Sequence, residues 1–219
     1  MVLIRHEDNQ LATYRESQRD EIIAYEPGLS LIDWDGDRSG STQVIILGDG
    51  VGHAGETPDE DATSWIRSWS QSGWERFDAA YREVRTKTDA SGIEVVIRPS
   101  AHGMLSDAVC TLNWIARGAG QDTKLLLDPM GWVVPSMMRD LEDHLDRIVE
   151  LCLEMAAQGH VWGVLLRSVA WNEDRSALVA SALDSGEPDK TLLIKKLSPL
   201  LESCPIQLVV DPADVSAVS

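Results

Sequence analysis

Short, largely apolar runs recur along this chain, and helical stretches with apolar residues at three- and four-residue spacing lie between them. The runs are 44–47 (VIIL), 93–97 (IEVVI), 124–127 (KLLL), 161–166 (VWGVLL) and 206–210 (IQLVV). They lack the apolar–polar alternation of a sheet with one wet face, so they read as strands covered on both sides. Between them, Ser72-Gly73-Trp74-Glu75 forms a capping box that opens a helix to about Lys87, with Trp74, Phe77, Ala80, Tyr81 and Val84 on its apolar face. Further helices are predicted over 107–116, 135–157 and 190–202; in the longest, Met138, Leu141, Leu145, Ile148, Cys152 and Met155 recur at three- and four-residue steps and Gly159 stands ready to end it. Thr57-Pro58-Asp59-Glu60 marks one more helix start.

Strands that alternate with helices must pair in parallel through right-handed crossovers. Two closures satisfy that rule, a (β/α) barrel and an open doubly wound sheet. The expectation is an α/β fold of the first kind, a parallel barrel of the TIM type. It is expected to be shortened or imperfect, because 219 residues fall below the roughly 250 of a full barrel. One domain over 1–219 is expected. A further strand is read at 29–34 before a polar turn, residues 1–28 yield no clear pattern, and the acidic stretch 172–189 is expected to be a flexible insertion.

Several function classes are excluded by composition. The net charge is −17, with 36 acidic residues against 19 basic, and no Lys/Arg cluster exists to displace counterions from a nucleic acid. No apolar stretch approaches the roughly 20 residues of a membrane span. Charges interrupt the N-terminal MVLIRHEDNQ where a signal peptide needs its apolar segment, so a cytoplasmic protein is expected. Cys110, Cys152 and Cys204 stand far apart, as reduced thiols do in such a compartment.

In a parallel sheet, chemistry gathers at the carboxyl ends of the strands. There the sequence places Asp49 and His53, Arg98-Pro99 with His102, Asp128-Pro129 with Trp132, Arg167, and Asp211-Pro212. Two readings stand side by side: the charges terminate strands and pair with one another at the rim, or they line a mouth that holds a small polar or phosphorylated ligand. Asp128 is expected to be drawn into a pair with Arg98 or Arg167, which would keep it ionised. Gly50, Gly52 and Gly55 match a dinucleotide-binding spacing, but the helix starts beyond the motif and Asp49 and Glu56 would repel a pyrophosphate. Asp33, Asp35, Asp37 and Ser39 alternate like calcium ligands, yet Arg38 and Val44 occupy the positions that need glycine and glutamate.

The order of elements from Val44–Gly48 through the helix at 74–87, Gly92-Ile93-Glu94-Val95-Val96-Ile97 and Leu125-Leu126-Leu127-Asp128 resembles the sugar phosphate isomerase/epimerase group, the xylose isomerase-like barrels. The resemblance implies a metal-binding glutamate after one strand, an aspartate and histidine after the next, and a histidine and aspartate later. Asp128 matches the aspartate, but Arg98, Gly131-Trp132 and Arg167-Ser168 stand where the other ligands belong, so no metal and no other cofactor is expected. Two functions follow. The first is an isomerase- or epimerase-like activity on a sugar or sugar phosphate, with Asp128 as base, His102 or His53 as proton partner, Arg98 and Arg167 holding an anionic group, and Asp49 and Trp132 also lining the ligand site. The second is a non-catalytic binding or interaction protein on a degenerate barrel, whose exposed edges a partner or a second copy of the chain would cover.

Overall fold

The computed structural model describes residues 2–7, 10–12, 22–30, 42–49, 69–118, 120–181, 183, 185–204 and 207–210. All five apolar runs form strands: β4 (Thr42–Gly48), β5 (Glu94–Arg98), β6 (Lys124–Leu127), β7 (Val161–Leu166) and β10 (Gln207–Val210). Before them come β1 (Val2–Glu7), β2 (Gln10–Ala12) and β3 (Ile22–Ser30). Two of these fall within the unreadable N-terminal stretch, and β3 replaces the strand expected at 29–34. Residues 31–41 lie outside the described residues, as do the helix start at Thr57, the glycine-rich segment 50–55, the aspartate-rich turn and Asp211.

The hydrogen-bonded order is β2-β1-β10-β7-β6-β5-β4-β3. Every pairing from β3 to β1 is parallel, and only β2 runs antiparallel, as a hairpin on β1. From β3 to β10 the spatial order follows the chain, and the next neighbour is β1: Val2 pairs with Leu208 and Ile4 with Val210. A first strand beside the last is the closure of a barrel, not the order of a doubly wound sheet. The ends of the order, β2 and β3, come within 8 Å of one another between Cα atoms. The fold is a parallel (β/α) barrel of the TIM type made imperfect by β2, an antiparallel strand where the barrel closes.

Four helices among the described residues cover the strands: α1 (Gln71–Ser91), α2 (Ala108–Ala116), α3 (Leu141–Ala157) and α4 (Lys190–Ser203). α1 starts earlier than expected because its cap is Ser70, whose Oγ accepts from the Gly73 N–H at 3.2 Å, and not Ser72. The helix expected over 135–157 divides: Pro135–Asp140 is a 3-10 segment, and α3 proper follows it with Leu141, Leu145, Ile148, Cys152 and Met155 buried as predicted. Gly159, at φ 80, takes the left-handed turn after α3 that L side chains avoid. Membrane-spanning length and hydropathy are absent from every helix among the described residues.

Along each strand alternate residues divide between two buried faces. Ile45, Leu47, Val95, Ile97, Leu125, Leu127, Val164 and Leu166 join one core cluster with Phe77, Trp114, Leu145, Met155 and Leu193 from the helices. Val44, Ile46, Val96, Leu126 and Leu165 lie outside that cluster yet are equally buried, on the face turned inside the curl of the sheet. Described residues of the segment expected to be a flexible insertion form part of a hairpin: β8 (Ser168–Trp171) and β9 (Leu178–Ser181) pair antiparallel, and Val169 bridges Glu187. Its acidic residues Glu173 and Asp174 sit exposed in the turn of this hairpin, so their charge reports solvation of a turn and not disorder of the segment.

Candidate functional site

Arg98 ends β5, Asp128 follows β6 and Arg167 follows β7. Each stands two residues beyond an inward-facing apolar residue, Val96, Leu126 and Leu165, so all three fall on the inner face at the carboxyl mouth. There they meet. Arg98 donates to Asp128 Oδ2 through Nη2 at 2.7 Å and Nε at 3.2 Å. Arg167 Nε donates to both oxygens, at 2.8 Å to Oδ2 and 3.1 Å to Oδ1. The Gly131 N–H adds a bond of 2.9 Å to Oδ1, which makes Asp128 the cap of the 3-10 turn Pro129–Trp132.

Asp128 is fully buried. Burial alone would push its pKa up, but the Arg167 and Arg98 guanidiniums outweigh that and hold it below the usual carboxylate range. Gly131 makes the close approach possible. A Cβ there would stand 2.6 Å from Asp128 Oδ2 and 3.2 Å from Arg167 Nη2, so the turn lies over the ion pair only with glycine at this position.

Arg167 is 8% exposed and commits only Nε. Its Nη1 and Nη2 have no hydrogen-bond acceptor among the described residues. Sequence reasoning placed this arginine at the mouth but had no means of telling which of its nitrogens the aspartate would take.

Asp49 falls on the opposite parity from Arg98, with Leu47 and not with Ile46, and it belongs to a different arrangement. Its Oδ2 accepts from the Leu105 N–H at 2.7 Å, its Oδ1 from Ser100 Oγ at 3.1 Å, and its carbonyl from the Met104 N–H at 3.0 Å. The carboxylate thereby clamps the loop that follows β5 to the end of β4. Burial pushes its pKa up to about 6, the bonds from Leu105 and Ser100 offsetting only part of that. Neither partner carried a sequence signal: Leu105 acts through a backbone N–H, which looks the same at every residue, and Ser100 through a hydroxyl of a kind common in loops.

Trp132 is buried in the core, where its Nε1 donates to the Leu105 carbonyl at 2.9 Å. With the bond from the Ala101 N–H to the Gly131 carbonyl, it ties the β6 loop to the β5 loop. His102 is exposed on that loop, although its ring leans in far enough for partial desolvation to lower its pKa and keep the imidazole neutral at pH 7. His53 lies outside the described residues. The structure thus brings together Arg98, Asp128 and Arg167, sets Asp49 and Trp132 in the supporting loops, and leaves His102 at the surface.

The divalent metal implied by the family resemblance does not fit these residues. Both oxygens of Asp128 are taken up by N–H donors from two cations and a backbone amide, and a third cation would meet two guanidiniums at bonding distance. Among the described residues no three His, Cys, Asp or Glu side chains gather to hold a metal ion.

No protein-family model and no curated protein matches the sequence. Among solved structures, the chain is similar to a xylose isomerase domain protein from Planctomyces limnophilus, at 12% identity and TM-score 0.48, covering 80% of this chain and 55% of that one. It is also similar to mannonate dehydratase from Streptococcus suis serotype 2, at 11% identity and TM-score 0.48 over 78% and 57% of the two chains. A third is 3-keto-D-glucoside 4-epimerase from E. coli, at 15% identity and TM-score 0.44 over 81% and 61%. The chain spans little more than half the length of these proteins, and its assignment as a barrel rests on its own strand pairing.

Proposed function

We propose that this protein binds a small polar ligand over the carboxyl ends of its strands, as a divergent sugar (phosphate) isomerase/epimerase-like barrel that works without a divalent metal. The observation that supports the reading is the convergence of three strand ends on one buried cluster, Arg98, Asp128 and Arg167, on the inner face of the mouth. Ligand pockets in this architecture form there, because the loops that follow the strands are free to vary while the barrel beneath is rigid. Sugars enter through the resemblance in element order, and they suit a mouth lined by hydrogen-bonding side chains.

A second reading, binding without catalysis, is favoured by the state of Asp128. A carboxylate that accepts from five N–H contacts and is held ionised by two arginines has no free lone pair to take a substrate proton. In the catalytic reading, proton transfer therefore falls to His102 or His53. One experiment separates the readings: a panel of aldoses, ketoses and their phosphates is followed by thermal shift for binding and by proton NMR for conversion. Saturable binding with conversion supports the enzyme, and saturable binding without conversion supports the second reading. A panel in which nothing binds overturns both.

A further inference from the structure

We infer that Arg167 is the anchor for an oxyanion, a carboxylate or phosphate group carried by the ligand of this site. The inference deepens the proposed function and rests on its placing of the ligand at the strand ends. A guanidinium offers five N–H donors in one plane, arranged to meet two oxygens side by side. Arg167 spends one of them. Its Nε bonds both oxygens of Asp128, which fixes the plane of the group and leaves the edge formed by Nη1 and Nη2 directed away from the aspartate. That edge has no acceptor among the described residues, although the side chain is only 9% exposed.

Buried N–H donors without acceptors are costly, and most buried donors are satisfied. Asp128 cannot supply more, because its other acceptor positions take Arg98 and the Gly131 amide. Nor does the neighbouring turn fill the space: at position 131 a side chain would come within 3.2 Å of Nη2, and the residue there is glycine. The result is a rigid pair of donors on the inner face of the barrel mouth, oriented before any ligand arrives. Such a fork suits a planar carboxylate end-on or two oxygens of a phosphate, and it offers nothing to an ammonium or an unsubstituted hydrocarbon. Asp128 is on this account a positioning residue that aims Arg167.

The test titrates inorganic phosphate and, separately, acetate into the wild-type protein and into Arg167→Lys at matched ionic strength, reading the melting temperature. Lysine keeps the charge beside Asp128 and removes the fork. The expected result is a saturable rise with one of the two anions in the wild type, weakened roughly ten- to a hundredfold in the variant, the range of a charge-assisted hydrogen bond. Which anion acts tells phosphate from carboxylate. No saturable rise with either, or an equal rise in both proteins, overturns the inference, since water would then be what the fork holds. Neutral sugars that bind wild type and variant alike, with no anion effect, defeat this inference and leave the proposed function standing. Should Arg167→Lys not fold, the nitrogen-15 spectrum of arginine-labelled wild type decides, with the Arg98 signals identified through Arg98→Lys. A phosphate- or acetate-dependent shift of the remaining buried guanidinium supports the anchor, and its absence overturns it.

Discussion

Replacing Asp128 with asparagine would leave two buried guanidiniums facing one another across a neutral amide. The expected loss is about 3–5 kcal/mol in urea denaturation at pH 7, because the arginines keep their desolvation cost while the charge of Asp128 is gone. A loss under about 1 kcal/mol would mean that the cluster is open to water. Its pH dependence has a definite sign. The folded pKa of Asp128 is depressed, so the stabilisation is fully present above the unfolded value, near 3.8, and is lost as pH falls through the lower folded value. Asp49 runs the other way. With a folded pKa of about 6 against 3.8, it binds its proton more readily folded than unfolded, and its contribution to stability rises as pH falls from about 6 towards 3.8. Asp49→Asn is therefore expected to remove that slope from the urea midpoint between pH 4 and 7; an unchanged slope would place the titration on another group. Both aspartates were legible as strand-end charges. What separates them is parity along the strand: Asp128 shares a face with Leu126, and Asp49 with Leu47. That distinction is readable from the apolar runs once one face is known, and only the core packing reveals which face that is.

The elements with strong periodicity were the legible ones. α3 docks through Leu145, which is fully buried, so Leu145→Ala is expected to destabilise by roughly 2–5 kcal/mol in a two-state denaturation. A cost below about 0.5 kcal/mol would be that of a surface residue and would contradict the packing. The first turn of the expected helix escaped because Pro135 starts it without any side-chain cap, and the segment takes 3-10 geometry up to Asp140. The β8–β9 hairpin escaped for another reason. Its strands are four residues each, and Asn172, Glu173, Asp174 and Arg175 between them carry the composition of a solvated loop. The turn is held by its own polar groups: Asn172 Oδ1 accepts from the Ala177 N–H at 3.0 Å, and Asp174 Oδ1 from Ser176 Oγ at 2.6 Å. Hydrophobic pattern reads burial, and this hairpin is specified by its turn. It begins directly at Ser168, so it follows Arg167 without a linker and helps set where that arginine stands.

At the scale of the whole molecule, the closing strand pair was beyond the reach of local pattern. Nothing in MVLIRHE marks it as the neighbour of β10, because parallel pairing leaves no mark in either strand alone. The barrel without a metal has a direct check. Addition of Mg, Mn or Zn in about hundredfold excess over a dissociation constant would raise stability by roughly 2.7 kcal/mol if a site existed. No rise in melting temperature is expected, since Asp128 is occupied by Arg98 and Arg167; a rise that Asp128→Ala abolishes would return the protein to the metal-dependent class. The place of β10 between β1 and β7 has a further consequence, in time. β1 is made first and its partner about two hundred residues later, which at roughly 5–20 residues per second is a delay of ten seconds or more. Until β10 emerges, β1 has no parallel neighbour and the outer edge of β7 stays open, so the nascent chain holds two strand edges that any other chain could pair with. Refolding should show the same order: in pulse-labelled hydrogen exchange, amides of β4 to β7 gain protection first, and those of β1 and β10 gain it together, last.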